Sequence, residues 1–271
     1  MGHQAKSRTM PFYCDGRLLG ITFDLKPFIE ARKARLNNKE NHETSGSFLN
    51  SRVANKTTKD YNMVVFGTDM TYEEKIKELL KMNRGYITRK EVDKYQIPSM
   101  YLFRYSKRHN LKQIIRGFYA VENWIVDPYV VFQYTYPRFI YSFYSGIYLH
   151  NLGDIMPNYL EVTGPRNYRP MSKNRDDVVT HTDTVDETYN LGITEIFTSL
   201  GNRVKVYDKE KIICDLIRNK DKIEFEVYAK ALNTYSKSKD KNIHKLMEYA
   251  SIMKIKDKVR NQIGVILNAD K

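Results

Sequence analysis

The sequence predicts an α/β protein of the α+β class, in which a small helical unit precedes a mixed α/β domain with a helical C-terminal end. Two observations predict this class. Residues 85–121 combine two capped helical patterns, a tight turn and a glycine-containing hairpin. Beyond residue 125, strand-like segments are followed by amphipathic helical segments.

Length and charge set the first limits on function. The chain has 271 residues, which suggests about two domains at roughly 150 residues each. Its net charge of +13 makes nucleic acid or another anionic surface the expected partner. No apolar run is long enough to cross a bilayer and no secretory signal begins the chain, so we expect a cytoplasmic protein. Cys14 and Cys214 have no partner at metal-site spacing, which predicts neither a zinc site nor a disulfide framework.

The charge is unevenly distributed and separates three regions, at residues 1–69, 70–124 and 125–271. Residues 70–124 carry 12 Lys and Arg against 6 Asp and Glu, nearly half of the excess positive charge. Residues 1–69 are polar tracts without a sustained period, so we expect a poorly ordered extension. Because Met63 and Met70 both precede well-patterned sequence, part of this extension is expected to be absent from the working protein.

Two helical patterns in residues 70–95 each begin with a capping box. Thr71 and Glu74 have the Ser/Thr-x-x-Glu spacing, and the apolar residues that follow predict a helix over 72–82. Thr88 and Glu91 repeat this spacing ahead of a shorter apolar face. The second helix is therefore expected to be short.

A third helix is predicted from about residue 100 to residue 109. Pro98 stops the helix before it, and Ser99 is the expected N-cap. Leu102 and Tyr105 face inward at helical spacing. The opposite face is predicted to carry Tyr101, Arg104 and Arg108.

Two short strands follow, at residues 111–115 and 118–121, with Arg116 and Gly117 in the turn between them. Three helices followed by such a hairpin predict a winged helix-turn-helix that binds duplex DNA. The third helix would enter the major groove, where Arg104 contacts either guanine or phosphate, and Lys107 would contact phosphate. The predicted DNA contacts are Thr88, Arg89, Lys90, Ser99, Tyr101, Arg104, Lys107, Arg108, Lys112 and Arg116.

The third region opens with a dense run of aromatic residues from Tyr129 to Tyr148. We interpret them as core because apolar residues separate them and few cations accompany them, although stacking on bases is the alternative. Strands are predicted near 159–163 and 204–207. Asp208 is the expected cap of a helix, and further helices are predicted near 225–232, 243–253 and 259–267.

A search for catalytic patterns finds no P-loop, nucleophile elbow, zinc-protease motif or nucleotidyltransferase carboxylate pair. The chain is therefore not expected to be an enzyme or to bind a metal or cofactor. The acidic run 181–187 is interpreted as a solvated hairpin or loop rather than a cation site, because it lacks a Ca²⁺-loop spacing. His150 is interpreted as a buried or capping residue rather than a general base.

Over roughly residues 70–267, the ordered set of motifs resembles the AbiEi family of antitoxins and transcriptional regulators from bacterial abortive-infection toxin-antitoxin systems. The long segment before Met70 departs from that family's usual pattern. The motifs that carry the resemblance are Arg116–Tyr119, Ser142–Pro157, Glu161–Thr163 and Asp208–Arg218.

The resemblance implies a repressor that binds inverted repeats in its own promoter. It also implies that the C-terminal domain neutralises a nucleotidyltransferase-like toxin without requiring a stable complex with it. We place antitoxicity on exposed residues of the helix that begins after Asp208, with conventional helix scaffolding as the alternative. The predicted antitoxicity residues are Lys209, Lys211, Asp215 and Arg218.

Two other functions compete with this hypothesis. One is a winged-helix transcriptional regulator without a toxin partner, which the absence of a neighbouring toxin gene would favour. The other is an enzyme acting on nucleic acid, with carboxylates assembled from separated positions. The carboxylates considered for that role are Asp154, Asp176, Asp183 and Asp215.

Overall fold

The computed structural model describes residues 11–14, 17–22, 66, 70–168, 178–183 and 185–268. The chain forms two compact units, a smaller unit over Pro27–Val126 and a larger unit made of Met1–Lys26 with Asp127–Lys271. Helices and sheets occur along the described chain, which confirms the mixed α/β class. None of the described helices is long and apolar enough to cross a lipid bilayer.

A hairpin near the N-terminus corrects the expectation of little fixed structure before residue 70. Strand β1 (Pro11–Cys14) pairs antiparallel with β2 (Arg17–Thr22). The signal was present in the sequence, because Asp-Gly between two apolar runs is a strong hairpin indicator and Asp15-Gly16 separates these strands. Apart from this hairpin, Phe66 is the only residue of 1–69 that the structure describes.

The described part of the smaller unit contains three helices and a three-stranded antiparallel sheet. The strands of this sheet, in spatial order, are β3 (Tyr86–Thr88), β5 (Phe118–Ala120) and β4 (Lys112–Ile115). The two capping boxes form as predicted, with Thr71 and Thr88 each accepting a hydrogen bond from the backbone N–H three residues later. The elements are α1 (Tyr72–Met82), β3 (Tyr86–Thr88), α2 (Arg89–Lys94), α3 (Ser99–Arg108), β4 (Lys112–Ile115) and β5 (Phe118–Ala120).

One apolar cluster holds the three helices of the smaller unit together. Helix α1 contributes three buried side chains and α3 two, whereas α2, β3 and the turn between α2 and α3 add one residue each. Burying a side chain of this size stabilises a fold by about 1.5–3 kcal/mol. The cluster consists of Ile76, Leu79, Leu80, Ile87, Val92, Ile97, Leu102 and Tyr105.

The described part of the larger unit is built on a five-stranded sheet. The strands of this sheet, in spatial order, are β8 (Val178–Asp183), β7 (Leu160–Pro165), β6 (Ile140–Tyr141), β10 (Arg203–Tyr207) and β9 (Ile193–Phe197). The β7–β8 and β6–β10 pairs are parallel, whereas β6–β7 and β9–β10 are antiparallel. The elements up to the sheet's last strand are α4 (Pro128–Thr135), β6 (Ile140–Tyr141), α5 (Phe143–Leu149), β7 (Leu160–Pro165), β8 (Val178–Asp183), α6 (Asp186–Asn190), β9 (Ile193–Phe197) and β10 (Arg203–Tyr207).

Four helices follow the sheet, close to the positions that the sequence predicts. Asp208 caps the first of them, as expected, by accepting a hydrogen bond from the backbone N–H of Lys211. A short 3₁₀ turn separates it from the second. The helices are α7 (Lys209–Arg218), α8 (Phe225–Ser236), α9 (Ile243–Ile252) and α10 (Lys256–Asn268).

The aromatic run forms core, as we interpreted it. Tyr129, Phe132, Phe139, Tyr141 and Tyr148 are all buried, so their rings are not available to stack on bases. The Tyr141 hydroxyl donates to the carbonyl of Tyr129 at 2.6 Å, which satisfies its polar end inside the core. Two helices that the sequence analysis did not assign, α4 and α5, lie within this run.

The interpretation of residues 181–187 as a solvated hairpin or loop is wrong. Residues 178–183 form β8, an edge strand that runs parallel to β7, and α6 begins at Asp186. Asp183 is buried, and the Thr188 hydroxyl donates to its carboxylate at 2.6 Å. Strand β8 pairs with the parallel strand β7, which is separated from it by a long connection, so no local sequence pattern predicts the pairing.

Close packing against β7 makes Gly164 intolerant of a side chain. A Cβ atom there would lie 2.5 Å from Phe139 Cε1, and the ring is buried and cannot retreat. We expect Gly164→Ala to lower the free energy of unfolding by about 1–3 kcal/mol, through overpacking.

Gly264→Ala is the matched control, because a Cβ at this α10 position meets nothing within 4 Å and alanine favours helix. Urea unfolding followed by circular dichroism measures both variants. Equal midpoints for Gly164→Ala and the wild type would contradict the packing argument.

Candidate nucleic-acid interface

The turn between α2 and α3 sets the direction of α3. Ile97 is buried in this turn, and its backbone N–H donates to the carbonyl of Val92 at 2.9 Å. Pro98 is the N-cap of α3 and the helix begins at Ser99, so the predicted capping role of Ser99 is wrong. Pro98 already has the extended conformation of a cap, which places the exposed Ser99 in the first helical turn.

One side of α3 is exposed and carries both cations and apolar side chains. We call it the outer face of α3 and define it as Met100, Phe103, Arg104 and Lys107. Arg104 has no ion-pair partner among the described residues. Lys107 Nζ lies 5.8 Å from the centre of the Phe103 ring, a cation–π contact.

Two residues predicted for this face instead lie along the edge of α3 that meets α1. Tyr101 is half-buried, and its ring centre lies 4.6 Å from that of Tyr72. The Arg108 guanidinium donates to the carboxylate of Glu73. Both groups of this ion pair remain partly exposed, so the pair is weak and Arg108 is able to exchange it for phosphate.

The start of α2 holds three further predicted contacts, and one of them is unavailable. Thr88 is only 5% exposed, and its hydroxyl donates to Glu91 Oε2 at 2.9 Å. The predicted contact between the Thr88 side chain and DNA is therefore wrong, because the buried hydroxyl is already hydrogen-bonded within the capping box. Arg89 and Lys90 are exposed, and Arg89 Nε lies 3.7 Å from Asp93 Oδ2.

Glu91 lies beneath these residues and connects three elements. Its carboxylate accepts hydrogen bonds from the Thr88 backbone and hydroxyl and from the Asn83 side chain. Burial raises the pKa of Glu91, and these hydrogen bonds oppose the increase. The carboxylate thereby fixes the end of α1 and the end of β3 to the start of α2.

The β4–β5 turn lies next to the start of α2. Lys112 and Arg116 are exposed, and Gly117 adopts a positive φ of 78° that glycine favours. The backbone N–H of Arg89 donates to the Gly117 carbonyl at 2.7 Å. The structure therefore brings Arg89 and Lys90 together with the Arg116 turn.

Charge is segregated along this part of the sequence. From Lys94 to Val121 the chain contains six Lys and Arg residues and no Asp or Glu. Such a distribution attracts polyanions. Among the predicted contacts, those that the structure leaves exposed are Arg89, Lys90, Ser99, Arg104, Lys107, Arg108, Lys112 and Arg116.

In the larger unit, two of the four predicted antitoxicity residues are buried. Lys211 is 1% exposed, and both oxygens of Asp215, itself 3% exposed, lie 2.9 Å from its Nζ. Asp183 Oδ2 lies 3.9 Å from the same nitrogen. Burial raises the pKa of Asp215, and the Lys211 ammonium opposes that shift.

The expectation that these two residues are exposed is therefore wrong. Residues 210–217 of α7 are all buried, so the i,i+4 pair lies inside the unit rather than on a solvated face. Arg218 is exposed, and Lys209 remains partly exposed with its Nζ 2.7 Å from Asp240. Lys209 and Arg218 alone among the four can reach a partner.

Of the carboxylates considered for an enzyme, the three that the structure describes do not assemble into a site. Asp154 is exposed and paired with Lys230 at 2.9 Å, and Asp176 lies outside the described residues. Asp183 and Asp215 do converge, but they enclose the ammonium of Lys211. In the described part of the chain, no group of three or more His, Cys, Asp or Glu residues is arranged to hold a metal ion.

His150 is a half-buried capping residue, and the structure confirms the capping role that we interpreted for it. It is the C-cap of α5, and its Nε2 lies 2.7 Å from the carbonyl of Tyr207, at the end of β10. Burial lowers the pKa of His150, and the hydrogen bond to Tyr207 opposes the shift. The ring therefore connects α5 to β10.

Comparisons with known proteins leave the family of this chain open. No protein-family model matches it, and no curated protein matches it at a significant level. Among solved structures it is similar to a crystal structure of the RV2827C protein from Mycobacterium tuberculosis, with 13% identity and a TM-score of 0.42. That match covers 73% of this chain and 81% of the other. So remote a likeness carries no functional argument, and the resemblance to the AbiEi family stays a prediction.

Removing the Lys211 side-chain charge tests the buried cluster. Lys211→Met leaves Asp215 buried without its cation, and we expect a loss of about 3–5 kcal/mol in the free energy of unfolding. Arg218→Ala is the surface control, with an expected change within about 0.5 kcal/mol. Adding Asp215→Leu to Lys211→Met removes the unpaired carboxylate and should recover part of the loss. Wild-type stability of Lys211→Met in urea unfolding would contradict the assignment.

The lowered pKa of His150 predicts a dependence of stability on pH. The folded protein protonates this ring less readily than the unfolded chain, whose histidines titrate near about 6.5. Stability should therefore fall as pH decreases through about 6.5 towards the folded-state pKa. His150→Gln keeps an N–H donor for Tyr207 but does not titrate, so its melting temperature should fall less between about pH 7 and pH 5. Parallel pH profiles for the two proteins would refute this role.

Proposed function

We propose that the smaller unit binds duplex DNA as a winged helix-turn-helix, with α2 and α3 as the two helices of the motif and β4–β5 as the wing. The observation that carries this proposal is the outer face of α3, which exposes Arg104 and Lys107 in a stretch of chain without a carboxylate. Helix α7 of the larger unit differs from α3, because two of its lysines are already paired with carboxylates. Lys209 pairs with Asp240, and Lys211 pairs with Asp215.

In this proposal α3 lies in the major groove. Its ten residues extend about 15 Å, and a groove about 12 Å wide accepts a helix with its side chains. Arg104 contacts a guanine edge or a phosphate, and Lys107 a phosphate. Lys112 and Arg116 on the wing add contacts with the sugar-phosphate backbone, whose strength falls as salt rises.

We further propose that this binding represses the operon that encodes the chain, and that the larger unit counteracts a nucleotidyltransferase-like toxin. The support for these steps is the resemblance of the motifs at 142–157 and 208–218 to the AbiEi family. Lys209 and Arg218 are the surface positions on α7 through which the larger unit would act. A winged-helix regulator without a toxin shares the DNA-binding step and lacks the second activity.

The DNA-binding step predicts a specific effect of charge removal. We expect the full chain to bind the duplex upstream of its own gene more tightly than a scrambled duplex. Arg104→Ala should weaken specific binding by about 1–3 kcal/mol if this residue contacts a base. The double variant Lys112→Ala/Arg116→Ala should weaken binding to both duplexes and reduce the slope of log K against log salt by about 1.8.

Fluorescence anisotropy over a salt series measures these effects. Lys239→Ala/Lys258→Ala is the control, because it removes the same charge from exposed positions of the larger unit. An unchanged salt slope in the wing variant, or an equal loss in the control, would show that net charge rather than the proposed interface binds DNA. Equal affinity for both duplexes would refute sequence-specific repression.

Antitoxicity requires a separate assay. Co-expression of a neighbouring candidate toxin gene with the full chain should relieve growth arrest, and Lys209→Ala/Arg218→Ala should lose this relief while keeping wild-type stability. Relief that survives in this double variant would remove α7 from the proposal. A neighbouring gene without toxicity would favour the regulator that has no toxin partner.

A further inference from the structure

The outer face of α3 carries two large apolar side chains that the core of the smaller unit does not use. Met100 and Phe103 are each 54% exposed, whereas Leu102 and Tyr105 on the opposite face are buried. Single exposed apolar residues are ordinary on protein surfaces. These two share one helical face with Arg104 and Lys107, on the helix that the proposed function places in the major groove.

Contacts with phosphate or guanine account for the cations of this face but not for Met100 and Phe103. The floor of the major groove presents hydrogen-bond donors and acceptors and one apolar group, the C5-methyl of thymine. An exposed thioether and an exposed aromatic ring gain nothing from phosphate oxygens. The thymine methyl is the groove feature whose chemistry matches them.

The positions along α3 agree with base contact. Met100 and Phe103 lie in the N-terminal half of the helix, the half that contacts base edges in helix-turn-helix proteins, and Arg104 is the first residue beyond it. The step from residue 100 to residue 104 is about 6 Å along the axis, close to two base-pair steps of about 3.4 Å. Lys107 Nζ lies over the Phe103 ring.

A second copy of the chain is a poorer occupant for this face. A symmetric contact between two such faces would bring Arg104 and Lys107 of both copies, four like charges, into one interface. The chain from Lys94 to Val121 offers no carboxylate to pair with them. Duplex DNA supplies both the negative charge and the methyl groups.

We propose that Met100 and Phe103 contact thymine C5-methyl groups and thereby give the protein a preference for thymine beside the position that Arg104 contacts. This preference rests on the proposed DNA binding and identifies thymine as the base that the protein recognises. It makes Met100 and Phe103 specificity-determining residues, whereas the wing and Lys107 supply affinity that does not depend on sequence.

The first test needs no variant. The full-length wild-type protein selects its preferred sites from randomised duplexes, and each thymine of the selected site is then replaced by deoxyuridine, which removes the methyl group alone. We expect about fourfold weaker binding for each contacted methyl, the transfer free energy of one buried CH₂ group expressed as a ratio of affinities. Wild-type affinity for every deoxyuridine duplex would overturn the inference.

The second test assigns the contacts to the two residues. Met100→Ala and Phe103→Ala should each remove the discrimination at one or two thymines, so that thymine and deoxyuridine duplexes bind equally there. Neither variant opens a cavity in the core, and alanine favours helix, so thermal unfolding should match the wild type. Phe225→Ala is the matched control, because Phe225 is 75% exposed in the larger unit and should leave the discrimination intact.

The outcomes separate the inference from the proposed function. Sequence-specific binding without dependence on the methyl groups, or a dependence that survives in both variants, overturns the inference and leaves DNA binding in place. The absence of sequence-specific binding removes both. Loss of self-association in sedimentation by Met100→Ala and Phe103→Ala, with unchanged methyl discrimination, would assign the face to a second copy of the chain.

Discussion

The arrangement of the smaller unit depends on the half-buried carboxylate of Glu91. It accepts hydrogen bonds from Thr88 and Asn83, and the backbone of the adjacent Arg89 donates to Gly117. Glu91 thus connects the end of α1 and the end of β3 to α2. The Arg89–Gly117 hydrogen bond connects α2 to the β4–β5 turn. Because this half-buried carboxylate accepts hydrogen bonds from two neighbouring elements, the network favours one arrangement of those elements.

The larger unit uses the same principle more than once. Asp127 is buried at the start of α4, where it accepts hydrogen bonds from Thr198 at 2.6 Å and Asn202 at 2.8 Å. Lys211 in α7 lies between Asp215 and Asp183, and so connects the helix to the edge strand β8. These contacts join segments that are far apart in sequence. Polar interactions of this kind add less net stability than apolar packing, but they penalise alternative packings.

The parts of the fold that sequence reasoning could predict are those that local rules determine. The capping boxes at Thr71 and Thr88 and the cap at Asp208 locate three helix starts, because each signal lies within four residues. Strand β8 could not be predicted from local rules, because its partner strand β7 is parallel and is not adjacent to it in the sequence. The burial of Lys211 and Asp215 could not be predicted, because a Lys–Asp pair at i,i+4 spacing gives the same sequence pattern on an exposed helix as on a buried one. Tyr101 and Arg108 contact α1 rather than lying on the outer face of α3. The side of α3 against which α1 packs is not determined by local sequence.

The division of α3 into two faces has a consequence for how such a protein diverges. Leu102 and Tyr105 hold the helix in the core, and substitutions at these positions cost stability. Met100, Phe103 and Arg104 contribute almost nothing to that core. Descendant sequences are therefore free to exchange these three residues without first acquiring compensating changes elsewhere. Under the proposed DNA binding, a duplicated copy of the gene acquires a different target in a few substitutions, while its scaffold remains under unchanged selection.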